Sequence, residues 1–346
     1  MKILVISYAD DINGAEGSLR LATKYWNKNL GWEIEVLHPR GGEFKDLTLI
    51  ANAGMTPISA LILGTHYDFV IVNLFHNLEW IHRISNVPII FWVHEGLSAF
   101  SSSNLTISHL TQTFTKSQSV IFSSKYQSEI LFKSFLRDSK DCHIHIVPYA
   151  IESLGLKLGK ERENSTDHFY ISWVGSVISR KRPLDLVRAT SSLTLSKPLQ
   201  VDFIGPLFNS WSLGEEFLEI LHLENSIFQW HDALSHLQTL ELVATSDVFC
   251  FTSEDESTGL APLEAASLHV PVIMAELPIY EFIGWKNEVN CLMYPLGDIE
   301  QLKVCIERIA GDSFLRETLI FNGAKLAKKF TPQKFLSAIT RAVTSF

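Results

Sequence analysis

Several things are scarce in this sequence, and each scarcity excludes something. Among 346 residues there are four cysteines, Cys142, Cys250, Cys291 and Cys305, and no two form a Cys-x-x-Cys pair. That removes a disulfide framework and leaves reduced, mostly buried thiols in a reducing compartment. No apolar run approaches the roughly 20 residues of a spanning helix. The apolar stretch near Met1 is too short for a secretory leader. Asn104-Leu-Thr and Asn164-Ser-Thr therefore read as chance matches to a glycosylation pattern. The expectation is a cytoplasmic protein, compatible with peripheral attachment to the inner face of a membrane. Net charge is −9, with no basic block beyond Arg180-Lys181-Arg182; nucleic acid is not the expected partner. There is no Asp-x-Asp and no His-Glu-x-x-His, and His143-Ile-His145 is too isolated to count, so no metal is expected. Gly-x-Ser-x-Gly is missing, which disfavours a serine hydrolase. Gly-x-Gly-x-x-Gly is missing near the start, which disfavours a dinucleotide-dependent epimerase.

What is present is enough apolar material for two cores, 46% of the chain, at a length whose prior is two domains. Strands are predicted at Lys2 to Tyr8, Trp32 to Leu37, Phe69 to Leu74, Pro88 to His94, Ser119 to Ser123 and Ile144 to Val147. A helix is predicted from Ala15 to Leu30. Strands spaced by helical segments imply an α/β chain with parallel, doubly wound sheets. Residues 151–168 are charged and polar over most of their length, as an interdomain linker would be. The expected division is residues 1–150, then 169–330, with the amphipathic tail from about 331 to 346 crossing back to the first domain.

The richest stretch runs from Phe249 to Met274. An apolar run, Phe249 to Ser253, reads as a buried strand. Glu256-Ser-Thr258-Gly259 is a turn cluster, Leu263 to Leu268 reads as helix, and Val270 to Met274 as the next strand. This is one βαβ unit, whose ligands bind beyond the strands' carboxyl ends. A helix starting near Gly259 leaves its first amides without partners and suits a phosphate. Glu264, one turn inside, can accept from both ribose hydroxyls. Glu256 stays in the loop, nearer whatever hangs from the phosphates. Upstream, the strand Phe169 to Val174 ends in Gly175, and Ser176 to Arg182 follows before a helix from Leu184 to Thr190. Three cations in such a loop can offset a diphosphate. Val201 to Ile204 leads into the turn Gly205-Pro206, and Trp230-His231 precede a helical stretch, Leu234 to Val243. Trp230 fits a core position as well as a binding one. In the first half, Asn13-Gly14 opens the helix after strand one, and His94 closes a central strand before Glu95-Gly96.

Glu256, Glu264, Gly259 and Pro271-Val272-Ile273 resemble the E-x7-E signature of glycosyltransferase family 4, retaining enzymes that use nucleotide sugars and have the GT-B fold. Asn290 to Pro295 and Gly297 to Glu300 resemble that family's closing strand and helix, and Val147 to Ile151 its segment closing the first domain. The likeness covers nearly the whole chain. It implies two Rossmann-like domains, a nucleotide sugar (uridine diphosphate is the expected nucleotide) and a carbohydrate or lipid-linked carbohydrate acceptor, with no cofactor and no metal. By resemblance, Glu256, His94 and Lys181 are catalytic. Asn13, Gly14, Ser176, Arg180, Lys181, Arg182, Gly205, Trp230, His231, Thr258, Gly259, Leu260 and Glu264 line the donor. His94 matches the histidine that meets the donor sugar near its reacting carbon. Two positions depart: Asn13 replaces the first Gly of the Gly-Gly loop, and Ser176 stands where the family has Arg. The phosphate site then rests on Lys181, with Arg180 or Arg182 as substitute. The same departures fit a second reading, a glycosyltransferase-like partner or regulatory subunit without turnover of its own.

Overall fold

The computed structural model describes residues 1–7, 14–38, 48–52, 66–84, 86–96, 98, 106–137, 141–151, 168–207, 211–224 and 226–345. Asn13 and linker residues 152–167 lie outside them. The chain divides into two compact units, Met1–Ala150 with Pro332–Phe346, and Ile151–Thr331.

Unit 1 holds a seven-stranded parallel sheet in the order β3-β2-β1-β4-β5-β6-β7. Its strands are β1 (Lys2–Ile6), β2 (Glu33–His38), β3 (Thr48–Asn52), β4 (Phe69–Asn73), β5 (Ile89–Val93), β6 (Ser119–Phe122) and β7 (His143–Ile146). β4 reads Phe-Val-Ile-Val-Asn and β5 Ile-Ile-Phe-Trp-Val, and both are buried at every residue. Such unbroken apolar runs mark parallel strands covered on both faces. Helices α1 (Gly14–Leu30), α2 (Leu78–Arg83) and α3 (Ile107–Lys116) belong to this unit. Phe75, Phe91, Phe114, Phe122 and Phe132 form one aromatic core on a single side of the sheet.

Unit 2 holds a six-stranded parallel sheet, β10-β9-β8-β11-β12-β13. The strands are β8 (Phe169–Val174), β9 (Leu199–Ile204), β10 (Phe228–His231), β11 (Val248–Phe251), β12 (Val272–Ala275) and β13 (Leu292–Tyr294). The helices are α4 (Pro183–Ser191), α5 (Trp211–Leu223), α6 (His236–Val243), α7 (Leu260–Ser267), α8 (Ile279–Ile283), α9 (Ile299–Gly311) and α10 (Ser313–Ala327). The last helix, α11 (Pro332–Thr344), packs in unit 1: the Trp26 ring N–H donates to Thr340 at 2.8 Å, and Phe335 stacks on Trp92.

Both sheets reverse direction at one place. The chain winds outward from β1 to β3, then restarts at β4 on the other side; in unit 2 it restarts at β11 beside β8. Ligands of doubly wound sheets bind at such a switch, beyond the strands' carboxyl ends. β3 and helices α2, α3 and α5 have no counterpart in the sequence reading. Thr-Leu-Ile-Ala-Asn is too short and mixed to show a period. The helix predicted from Leu263 begins at Leu260 instead. Pro262 then sits in its first turn, where the missing N–H is no loss.

Candidate active site

Two loops meet at the unit 2 switch. The loop after β8 carries Lys181, and the loop after β11 carries Glu256. The Lys181 ammonium donates to Glu256 Oε1 across 75 residues of sequence. Arg180 stands 3.5 Å from the same carboxylate and donates to the Asp255 carbonyl at 2.6 Å. The loops are also sewn together by backbone. Glu254 N donates to Arg180 O at 2.9 Å, and the Thr252 hydroxyl to Lys181 O at 2.7 Å. Trp173 fixes that hydroxyl from below at 2.9 Å. Burial alone would raise the Glu256 pKa. The charges of Lys181 and Arg180, with hydrogen bonds from Lys181 and Ser253, outweigh it and hold the carboxyl below its usual range. The side chains of Lys181 and Glu256 are 16% and 11% exposed. Lys181 also lies over the Phe251 ring, 5.1 Å from its centre.

Arg182 is placed differently from what the triplet suggested. It takes a left-handed conformation at φ 49° as the residue before α4, and its guanidinium grips Asp185 at 2.7 and 3.1 Å. A buried carboxylate at the helix start claims this cation, and Glu254 at 3.4 Å adds a second anion. Of the two arginines offered as a substitute at Ser176, Arg180 is the one that shares the Lys181–Glu256 cluster. Two cations then face one carboxylate.

Gly259 caps α7 at φ 74° and has no side chain of its own to bond the helix's first amides. A left-handed cap and nearby Tyr280, Phe251 and Pro262 leave glycine the fitting residue. Thr258 is buried beside it, and Leu260 opens the helix half-buried. Further along α7, Glu264 accepts from His236 Nε2 at 2.8 Å. On the other side of β8, Gly205 follows β9 at φ 140°, and a Cβ there would lie 2.2 Å from the Gly175 carbonyl oxygen. The two glycine turns thus touch. The Trp230 ring N–H donates to Gly205 O at 2.9 Å while its ring packs on the unit 2 core. His231 is held by buried Asp202 at 2.9 Å.

Unit 1 presents a polar chain at its own switch. Tyr149 donates to His94 Nδ1 at 2.5 Å, and His94 Nε2 donates to Asn73 Oδ1. The Asn73 amide donates to Ser7 at 2.8 Å, and Ser7 to Glu16 at 2.6 Å. Every donor points toward a buried carboxylate in the first turn of α1, where the helix dipole favours negative charge. Burial pushes the His94 imidazole down to about 3, so the ring is neutral. Both its nitrogens are taken, and meeting a sugar through the ring requires exchanging a partner. Glu95 accepts from the Phe75 and His94 amides at 2.8 and 3.2 Å. Burial still lifts it to about 7. Gly14 is exposed at the start of α1.

Asn73, Tyr149, Glu95 and His236 were not singled out from sequence. Glu95 directly follows His94, and Tyr149 lies within Val147 to Ile151. His236 could have been found from the capping box Ser235-x-x-Gln238, which starts α6 at that residue. Among the described residues no cluster of three or more His, Cys, Asp or Glu could hold a metal ion, and no helix is long and apolar enough to cross a membrane.

This arrangement has known relatives. The family model described as glycosyl transferases group 1 matches residues 142–326. The chain belongs to this family. The capsular polysaccharide biosynthesis glycosyltransferase CapM of Staphylococcus aureus is 28% identical over 173 residues, 48% of this chain and 43% of CapM. The chain thus spans less than half the length of that relative. Among solved structures, Anabaena HepE in complex with UDP and glucose superposes with a TM-score of 0.80 at 17% identity, covering all of both chains. Sucrose-phosphate synthase of Thermosynechococcus elongatus does so at 0.77 and 18% identity, covering 99% of this chain and 98% of its own. At those identities the likeness establishes the fold, and the fold is GT-B.

Proposed function

We propose that the protein is a retaining, metal-independent hexosyltransferase using a uridine diphosphate sugar, with UDP-glucose the first donor to test. The acceptor is a hydroxyl of a glycan or lipid-linked glycan in polysaccharide or glycoconjugate synthesis. The observation that carries this is the Lys181–Glu256 pair, with Arg180 beside it and the glycine-capped α7 start across the same switch. The anomeric C–O bond breaks, its electron pair passes to the β-phosphate oxygen, and the acceptor oxygen bonds to the anomeric carbon. The acceptor's proton goes to the departing phosphate. Charge gathers on the diphosphate and leaves the sugar carbon electron-poor. Fixed groups of opposite sign lower that barrier because they need no reorganisation. Lys181, Arg180 and the α7 amides answer the phosphate, and Glu256 answers the anomeric carbon and orients the sugar hydroxyls. Glu264 accepts from the ribose, and Gly205 with Trp230 borders the base. Unit 1 supplies acceptor determinants, with His94 on the sugar side after exchanging a ring partner.

HepE binds UDP and UDP-glucose in its solved structures, and CapM belongs to capsule synthesis. Both support the reading. The test is release of UDP from UDP-glucose with a panel of glycan and glycolipid acceptors, with and without excess chelator, followed by assignment of the new anomeric centre. An α-linked product formed in chelator is the expected result. Turnover that stops in chelator and returns with Mg²⁺ overturns the metal-free assignment. Nucleotide binding without turnover for any UDP-hexose favours the non-catalytic subunit, the reading that Ser176 keeps open.

A further inference from the structure

Glu264 does not stand alone. Its carboxylate is 19% exposed and is held by an imidazole from another helix, the first residue of α6. The imidazole is 40% exposed, but the backbone that carries it is anchored. Ser235 accepts from the Gln238 amide at 3.3 Å, and the Gln238 side chain accepts from the Ser235 amide at 3.1 Å. This reciprocal cap fixes the backbone at His236. α6 also packs on both α7 and β8.

A glutamate side chain has several rotatable bonds, and freezing it on binding carries an entropic cost. A carboxylate that must accept from neighbouring ribose hydroxyls performs better when one oxygen is already tied down. We propose that His236 is a positioning residue for nucleotide recognition: by donating to Glu264 Oε1 it holds the carboxylate ready, and it sharpens preference for ribose over deoxyribose. This role rests on the reading of Glu264 as the ribose acceptor. It concerns the sugar of the nucleotide, not the transferred hexose. An exposed ion pair with the same distance would contribute little. Here the carboxylate is largely shielded and the donor's backbone is capped, so the pair is preorganised.

The experiment is calorimetry of UDP and 2′-deoxy-UDP with wild type, His236→Ala, His236→Gln and Glu264→Ala, each checked for an unchanged circular dichroism spectrum. Wild type should prefer UDP by about tenfold or more, the size of a charge-assisted hydrogen bond. Glu264→Ala should erase that preference. His236→Ala should reduce it severalfold, weakening UDP more than 2′-deoxy-UDP, whose remaining 3′-hydroxyl makes only one of the two contacts. His236→Gln, whose amide nitrogen can reach the place of Nε2, should restore it. Equal weakening of both nucleotides by His236→Ala means a structural role and overturns the proposal. A wild-type preference in His236→Ala, when Glu264→Ala has lost it, overturns the proposal and leaves the ribose assignment standing. A preference that survives Glu264→Ala overturns the ribose assignment and this role with it, while UDP-glucose turnover remains a separate measurement.

Discussion

Removing the Lys181 ammonium should damage the protein in two ways that can be separated. Lys181→Ala leaves Glu256 with a largely buried charge that keeps a hydrogen bond from Ser253 and one cation, Arg180, at 3.5 Å. Breaking a buried pair costs roughly 3–5 kcal/mol when nothing replaces the lost charge. Arg180 and the carboxylate's residual exposure reduce that to about 2–3 kcal/mol, or roughly 5–10 °C in Tm for a unit of this size. Glu256→Gln should cost less, because it removes the charge that needed a partner. The double variant Lys181→Ala/Glu256→Gln should therefore be more stable than Lys181→Ala alone, by at least about 1 kcal/mol of coupling. It should not recover turnover of UDP-glucose, since the proposed reaction sets both groups against its charges. Arg180→Ala should weaken UDP binding about tenfold. Arg182→Ala should leave UDP affinity close to wild type and lower stability through Asp185, which it strands at the start of α4. Thermal unfolding, calorimetry and turnover on these variants decide the matter. Additive stabilities for Lys181 and Glu256 within about 0.5 kcal/mol would refute the pair's energetics. An Arg182→Ala protein of normal stability that binds no UDP would refute the assignment of the second cation.

Two further outcomes follow from the geometry. Gly205→Ala should cost at least about 3 kcal/mol or abolish folding, because the new Cβ would lie 2.2 Å from backbone oxygen at Gly175 and the φ of 140° is strained for alanine; unchanged unfolding would show that the turns separate freely. Glu95, raised to about 7 from 4.5, is fully favoured below pH 4.5 and loses that contribution as pH rises through 7. Glu95→Gln should gain stability over wild type at pH 8, by on the order of 2 kcal/mol after discounting for partial exposure, and gain none at pH 4. His94, lowered to about 3, works in the opposite sense: its contribution is present above pH 6.5 and fades as pH falls toward 3. His94→Gln should therefore flatten the acid side of the stability profile, and a curve that keeps its slope would remove the neutral-ring description.

How much of this could be read from the residues in order depends on how far apart the partners stand. The βαβ unit from Phe249 to Met274 was legible because strand, turn, helix start and both glutamates follow one another within a single stretch. The doubly wound sheets were legible because parallel strands buried on both faces show as apolar runs such as Ile89–Val93. The sheet edge at Thr48–Asn52 carries no such signal. What sequence spacing could not supply was the pairing of side chains. Arg180, Lys181 and Arg182 are consecutive cations, yet two lean on Glu256 from a loop distant in sequence and the third turns back on Asp185. A left-handed residue at 182 sends its side chain elsewhere than its neighbours', and no composition rule announces that conformation for arginine. His94 shows the same limit from the other side. Its place after a central strand marked it as chemical, but Asn73 and Tyr149, 21 and 55 residues away, occupy both ring nitrogens. A motif thus names which residues arrive at a switch, while their hydrogen bonds decide which of them remain available to a ligand. On that ground Arg180 is a stronger candidate than Arg182 for the charge missing at Ser176, and His236 joins Glu264 through a contact that no motif contains.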